Sequence, residues 1–263
     1  MAIWIKRGRA KVDLFLQKPR GRVLDIPAGR GGRESAHLLR LGFQVIAVDL
    51  FLKRHESGQL PGVRADANQF FPFRDGCFDY VLSREGIEHL EDQASYIRDC
   101  ARVLKPGGEI VLTTPNVLNL RSRLTYFLAG QRTLRRGLVN EIQTLRGNQD
   151  GHYYHGHAFL IDYFRLRYLL RLAGFDNIRV FTDRYSPASV ALIWLAPVLF
   201  VASKLAIRMS RRKSKDKYHN LPSNPVFREI LGHIFSRALL FGKRMIVVAR
   251  KTYGKADQAR VDE

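Results

Sequence analysis

Three aspartates and a pair of glycines stand at spacings that suit the grip on a nucleoside. Asp25, Gly29 and Gly31 lie in RVLDIPAGRGG (22–32), Asp49 ends VIAVDL, and Asp66 falls in GVRADA. A glycine-rich turn lets backbone approach a ligand closely, and the amides that open a following helix face anionic groups. Asp49, 20 residues beyond Gly29, is placed to accept both hydroxyls of a ribose, and Asp66 to accept from an exocyclic adenine amine. One aspartate at a strand end is an ordinary turn residue. Three at successive strand ends around one glycine turn point to an adenosine-bearing cofactor. A second set could move protons: His89 in EGIEHL, and His152, His155 and His157 in GHYYHGHAF. A hydroxyl nucleophile needs a base for its proton, and imidazole titrates in the right range.

The elements that must hold these residues alternate as strand and helix. Apolar runs predict strands near 22–26, 43–49, 61–66, 78–83 and 108–114, and helical spacing predicts helices over 32–42, 94–104 and 162–173. That order implies a parallel sheet with crossover helices. KPGG (105–108) reads as a turn between a helix and the fifth strand, with further strands at 177–181 and 244–249. Residues 115–160 and 186–242 interrupt the scheme. Ligands bind beyond the C-terminal strand ends of such sheets, so the first interruption is the natural cover for a substrate. The reading divides the chain into a basic segment (1–21), a cofactor-binding core (22–185), an apolar and basic helical insertion (186–242), a final strand (243–251) and a polar tail (252–263).

A chain of 263 residues, 46% hydrophobic and 26% charged, has a globular composition. Two cysteines, Cys77 and Cys100, make neither a disulfide framework nor a zinc set, which predicts a reducing compartment. The N-terminal stretch has no apolar run long enough for a signal peptide, so a cytosolic origin is expected. The net charge of +20 implies anionic company: nucleic acid, anionic lipid or phosphorylated substrates.

A dinucleotide dehydrogenase would want glycine where Glu34 stands in the G-x-G-x-x-G register, and no Tyr-x-x-x-Lys pair is present. The stretches LDIPAGRG, AVDL, FDYVLSREGIEHLED, RVLKPGGEIVLTTPN and GHAFLIDYFRLRYLLRLAGF, in this order, resemble class I S-adenosylmethionine-dependent methyltransferases. The likeness runs from about 22 to 185 plus the final strand. It is nearest to the branch of ubiquinone-biosynthesis O-methyltransferases and polysaccharide- or lipid-cluster methyltransferases. The resemblance implies an α/β, Rossmann-like fold with a seven-stranded sheet, an antiparallel last strand and a helical insertion before it. It also implies that Asp25, Ala28, Gly29 and Gly31 line the methionine and adenosine end of S-adenosylmethionine. Asp49 and Leu50 would hold the ribose, Asp66 and Ala67 the adenine, and Ser83 and Arg84 would touch the cofactor near its sulfonium. The E-x-x-E-H arrangement of Glu85, Glu88 and His89 is associated in the branch with a divalent metal; its alternative here is a network that opens a helix. Pro27 stands where the family more often has glycine. It removes one amide donor but demands no positive φ, so the loop reads as functional.

For the acceptor, Asn116 in TTPN could orient a hydroxyl, and one of the four histidines could take its proton. The D/N-P-P-Y/F run of amino-methylating nucleic-acid enzymes is replaced by Ser83-Arg84-Glu85-Gly86, and neither cysteine is placed as a nucleophile for carbon-5 methylation. Methylation of a base hydroxyl or a ribose stays open. ASVALIWLAPVLFVAS (188–203) is uncharged over 16 residues and is followed by Lys204, Arg208, Arg211, Arg212, Lys213, Lys215 and Lys217. It is shorter than the roughly 20 apolar residues of a membrane span, Pro197 interrupts it, and the last strand must return to the same sheet. An in-plane insertion avoids those objections, with Phe227, Ile230, Leu231, Ile234, Phe235 and Ala238 marking a second amphipathic helix. The expectation is a methyltransferase acting on an oxygen of a small or lipid-linked acceptor, peripheral on the inner face of the cell membrane and drawn to its anionic lipid. Two alternatives stand beside it: a soluble small-molecule or RNA methyltransferase that dimerises through the insertion, and a non-catalytic cofactor-binding subunit of a membrane assembly.

Overall fold

The computed structural model describes residues 14–29, 32–52, 60–132, 139, 144–147, 153–217 and 224–252. Gly31 and His152 lie outside them. Five parallel strands come first: β1 (Arg22–Asp25), β2 (Gln44–Asp49), β3 (Gly62–Arg64), β4 (Phe78–Arg84) and β5 (Leu104–Pro115). Helix α1 (Arg33–Arg40) links β1 to β2, and α2 (Gln93–Val103) links β4 to β5. After β5 come α3 (Leu120–Ala129), a small hairpin of β6 (Leu145–Gly147) and β7 (Tyr153–His155), α4 (Tyr163–Leu172) and β8 (Phe175–Phe181). Strand β9 (Arg244–Lys251) pairs antiparallel with both β5 and β8. The main sheet runs β3-β2-β1-β4-β5-β9-β8, the seven-stranded arrangement with an antiparallel last strand that the sequence implied.

Strand alternation sorts the apolar residues onto two faces. In β5, Ile110 and Leu112 join Ile97 and Cys100 of α2 and Leu166 and Leu170 of α4 in the larger core. Val111, with Ile246 and Val248 of β9, faces the opposite core, which holds Leu38 of α1. Phe15, fully buried edge-on to Phe43 and Tyr80, brings the end of the basic N-terminal segment into that second core. Both faces are covered, which is why these strands read as near-continuous apolar runs.

The expected KPGG turn lies within β5. Phe78 pairs with Leu104 and Tyr80 with Glu109, so two steps along β4 are matched by five along β5. Lys105–Gly108 bulge out between them. Gly107 takes φ 75°, and a Cβ on Gly108 would sit 2.9 Å from the Asp79 carbonyl.

Residues between β8 and β9 form α5 (Pro187–Ala191), a 3-10 turn (Ile193–Leu195), α6 (Ala196–Lys217), α7 (Asn224–Ile234) and α8 (Arg237–Phe241). Pro197 begins a helix instead of interrupting one, since the first turn needs no amide donor there. The apolar face of α7 is taken up by the protein's own core: Ile234 is buried and Ile230, Leu231 and Phe235 pack against the larger cluster. Helix α6 is divided. Ala196 and Leu199, with Leu195 before them, pack on Leu120, Leu240 and Phe241, and Phe200 meets Phe235 edge-on. Its outer side leaves Val198, Val201, Leu205 and Met209 exposed in line with Trp194, which is 66% exposed. No helix among the described residues is long and apolar enough to cross a membrane.

Asn116 anchors this insertion. Its Nδ2 donates to the carbonyls of Leu239 and Gly242 at 2.9 Å and of Ala238 at 3.3 Å, and its Oδ1 accepts from the Leu118 amide. It is 1% exposed, so the carboxamide expected to orient an acceptor is engaged in holding α8 to the end of β5. Asn119 adds bonds to Asn116 O and Gly242 O, and Ser189 Oγ donates to Asn119 Oδ1 at 3.0 Å. Asn116→Ala leaves buried carbonyls without a donor and should lower stability by about 2–4 kcal/mol. Urea denaturation measures this; an unchanged midpoint would show that the clamp is dispensable.

Candidate active site

The sheet order reverses beside β1, between β1 and β4, which is where open α/β sheets form their binding crevice. Asp25 ends β1 there and is fully buried. Ser35 Oγ of α1 donates to its Oδ2 at 2.5 Å, and Arg84 Nη2, from the end of β4, lies 3.2 Å from the same oxygen. Arg84 also donates to Ala28 O at 2.9 Å and pairs with Glu34 Oε2 at 2.7 Å. Burial pushes the Asp25 carboxyl up, and the Arg84 guanidinium opposes it. Burial also works against the Arg84 charge, but Asp25 and Glu34 outweigh it and keep the guanidinium ionised. Arg84, expected beside the sulfonium, is thus held by two carboxylates and the loop carbonyl. Ser83 precedes it in β4. The Tyr96 hydroxyl donates to Ile26 O at 2.8 Å and accepts from Ser83 Oγ at 2.8 Å, and Ser83 is fully buried on the α2 side of β4.

Asp49 ties the loop to β2. Its Oδ2 accepts from the Gly29 amide and its Oδ1 from the Phe51 amide, both at 2.8 Å. Each oxygen keeps acceptor capacity for a ribose hydroxyl. Leu50 follows at the strand end, its carbonyl accepting from Arg64 Nε at 3.0 Å. Asp66 stands just beyond β3, where its Oδ1 accepts from the Asn68 amide at 2.9 Å; Ala67 beside it packs on the larger core. Gly29 takes φ 75°, and no atom of the described residues lies within 4 Å of where its Cβ would be. That open space beside Asp49 is what a closely approaching nucleoside requires, so the residues fit the cofactor that the sequence implied. Pro27 follows a cis peptide bond, and its ring lies over Gly86. A Cβ at Gly86 would come within 2.3 Å of Pro27 Cδ, so the unusual proline depends on a glycine across the crevice.

The histidines converge on the other side. His89 closes a 3-10 turn (Ile87–His89), with its Nδ1 2.5 Å from His155 O and 3.0 Å from Gly156 O. Both partners are acceptors, so Nδ1 carries the proton and Nε2 is the basic nitrogen of the neutral ring. The His157 ring packs edge-on at 5.1 Å. Glu88, buried, accepts from Thr114 Oγ1 at 3.0 Å, and the Phe159 amide donates to its carbonyl at 3.1 Å. One donor atom each from Glu88, His89 and His157 lies within 4.8 Å of the others, a set that could hold a divalent cation. Glu85 is not part of it: at φ 46° its carboxylate is held by Thr113 Oγ1 at 3.3 Å and Arg244 at 3.5 Å. His157 takes the place expected for Glu85. His155 pairs with Glu91 at 2.7 Å on the rim. Glu34, Ser35, Gly86 and Tyr96 were not foreseen, because no local spacing marks them.

Residues 5–180 match the methyltransferase-domain family. The ubiquinone biosynthesis O-methyltransferase of Xanthomonas oryzae pv. oryzae is 38% identical over 104 residues, covering 36% of this chain and 43% of that protein. The same-named protein of a Caulobacter species is 40% identical over 104 residues, covering 36% and 41%. The chain therefore spans less than half the length of these curated relatives. A SAM-dependent methyltransferase from Archaeoglobus fulgidus superimposes over 92% of each chain with a TM-score of 0.55 at 19% identity, a likeness of fold.

Two substitutions test the cofactor loop. Asp49→Asn turns an amide donor toward the Gly29 or Phe51 N–H and should weaken S-adenosylmethionine binding by roughly 30-fold or more. Gly86→Ala drives a methyl into the Pro27 ring and should weaken it by about tenfold through the displaced loop. Titration calorimetry reads both; wild-type affinity in Asp49→Asn would remove Asp49 from the site.

Proposed function

The chain belongs to the methyltransferase-domain family and carries its S-adenosylmethionine-dependent fold, and we propose that it O-methylates a lipid-linked, quinone-like or glycan acceptor at the cytoplasmic face of a membrane. Gly29, Asp49 and Asp66 hold the cofactor, which when bound supplies a methyl group already activated by a positive sulfur. The protein's work is then alignment and exclusion of water, which together account for several kcal/mol of such a barrier. His89 Nε2 takes the acceptor's hydroxyl proton as the oxygen–carbon bond forms and the sulfur–carbon bond breaks. The hydrogen bonds from Nδ1 to His155 O and Gly156 O set that tautomer. Similarity to proteins named as ubiquinone biosynthesis O-methyltransferases supports oxygen as the atom methylated.

The observation that carries the membrane reading is the apolar stripe on the outer side of α6. Trp194, Val198, Val201, Leu205 and Met209 recur at helical spacing and are all more than half exposed. Lys204 lies over the Phe200 ring at 4.5 Å, Arg208 is exposed, and the sequence adds Arg211, Arg212, Lys213, Lys215 and Lys217. An apolar stripe flanked by cations suits the boundary between acyl chains and anionic headgroups, where each cation contributes about 1 kcal/mol.

Incubation with methyl-labelled S-adenosylmethionine and membranes, then organic extraction, is the direct test. Label should enter the organic phase and be absent with Asp49→Ala; label confined to the aqueous phase would sink the lipid acceptor. His89→Gln should reduce transfer by about 10²–10⁴-fold with S-adenosylmethionine affinity unchanged. Val198→Ser with Leu205→Ser should abolish flotation with anionic vesicles; flotation that persists would place the contact elsewhere.

A further inference from the structure

Between the starts of α3 and α4 lies a cavity of about 750 Å³. That volume is in the range of sites for small organic ligands. Leu118, Tyr126 and Phe164 make apolar wall, and Arg123, Arg165 and Asp162 supply its charge. The cavity opens immediately beyond the end of β5. Its second wall follows directly on Phe159, whose amide donates to the carbonyl of Glu88 beside His89. The same segment thus runs from the histidine cluster into the cavity wall.

Arg123 is the informative residue. Arg84, Arg102 and Arg167, covered to a similar degree, each pair with a carboxylate. Arg123 makes one bond, from Nε to Leu118 O at 2.7 Å, and no ion pair among the described residues. Burial lowers its pKa. Asp162 caps α4, its Oδ1 accepting from the Phe164 and Arg165 amides at 2.7 and 3.0 Å, and does not pair with Arg123. A half-buried guanidinium without a counter-charge is unfavourable unless an anion completes it, and its remaining N–H groups form the planar fork that binds oxyanions. Phe127 and Leu128, 86% and 69% exposed, continue the apolar surface along α3 from Tyr126.

We infer that this cavity is the acceptor subsite for an amphiphile whose oxyanion head, a phosphate or a carboxylate, is held by Arg123 and Arg165 while its apolar part lies on Leu118, Tyr126 and Phe164. The inference deepens the proposed function and rests on its acceptor reading. It assigns the excess of positive charge near α3 to substrate recognition.

The test is calorimetry on the full chain with geranyl phosphate, geranic acid, geraniol and inorganic phosphate. At least one of the two anionic amphiphiles should bind about tenfold or more tighter than geraniol, as charge-assisted hydrogen bonds require; which one does so identifies the head group. Arg123→Gln should erase that preference without changing geraniol affinity, and Arg165→Gln should reduce it. The idea is overturned if neither anion is preferred, if the preference survives in Arg123→Gln, or if inorganic phosphate binds as tightly as geranyl phosphate. S-adenosylmethionine binding measured on the same samples reports folding of each variant. Failure of methyl transfer with an intact anion preference would count against the catalytic reading alone.

Discussion

The contact on which the site depends is the buried pairing of Asp25 with Arg84. It joins the last residues of the two strands at the sheet's reversal, and through Ala28 O and Glu34 it fastens both the loop and the first turn of α1. Removing one partner from such a pair costs about 3–5 kcal/mol, whereas an apolar pair of equal volume can be neutral. Stability alone therefore does not require the pair. What it supplies is position: with the loop fixed at Ala28, the Gly29 amide meets Asp49 and the crevice keeps its open side beside Gly29.

This division between holding and binding explains which residues were legible in the sequence. Asp25, Asp49 and Asp66 announced themselves because parallel strands all end at the same edge, so an acid at each end must share one crevice. The contacts of Ser83 and Arg84 did not. Their neighbours come from α1 and α2, and the face of β4 that α2 covers is a tertiary fact that settles Ser83's direction. Asn116 has the same character: its partners lie more than 120 residues away at α8, and nothing local distinguishes a hydroxyl-orienting carboxamide from a clamp. The fold itself was readable because its signal, the alternation of apolar strands with helices, is local. KPGG misled for the converse reason, since a bulge inside a strand and a turn before one share the same residues.

The histidine cluster shows how far chain separation limits such reading. Glu88 and His89 are adjacent in sequence, and a third ligand seemed due from Glu85 three residues earlier. The positive φ at Glu85 turns that carboxylate toward Thr113 and Arg244 instead. The segment before α4 then brings His157 into contact, fixed by the Phe159 amide on Glu88 O and by Gln93 Nε2 on Phe159 O at 2.6 Å. The same segment supplies His155 O and Gly156 O, which orient His89. The orientation of His89 and the third donor of the cluster are thus consequences of one strap laid over the 3-10 turn.

The insertion presents the opposite case, in which two helices of similar sequence character meet different fates. Helix α7 fills a groove of the core with Ile230, Leu231 and Ile234, and its amphipathicity needs no partner beyond the domain. Helix α6 places Leu199 against the same body but leaves Val198, Val201, Leu205 and Met209 in water. Burying a side chain of that kind is worth about 1.5–3 kcal/mol, so the outer stripe forgoes several kcal/mol that a polar sequence would not put at stake. The cavity beside Arg123 has the matching electrostatic imbalance, a cation with no carboxylate partner among the described residues. Both features fall in segments added to the parallel sheet, and the proposed acceptor class, an amphiphile with an anionic head, would answer both.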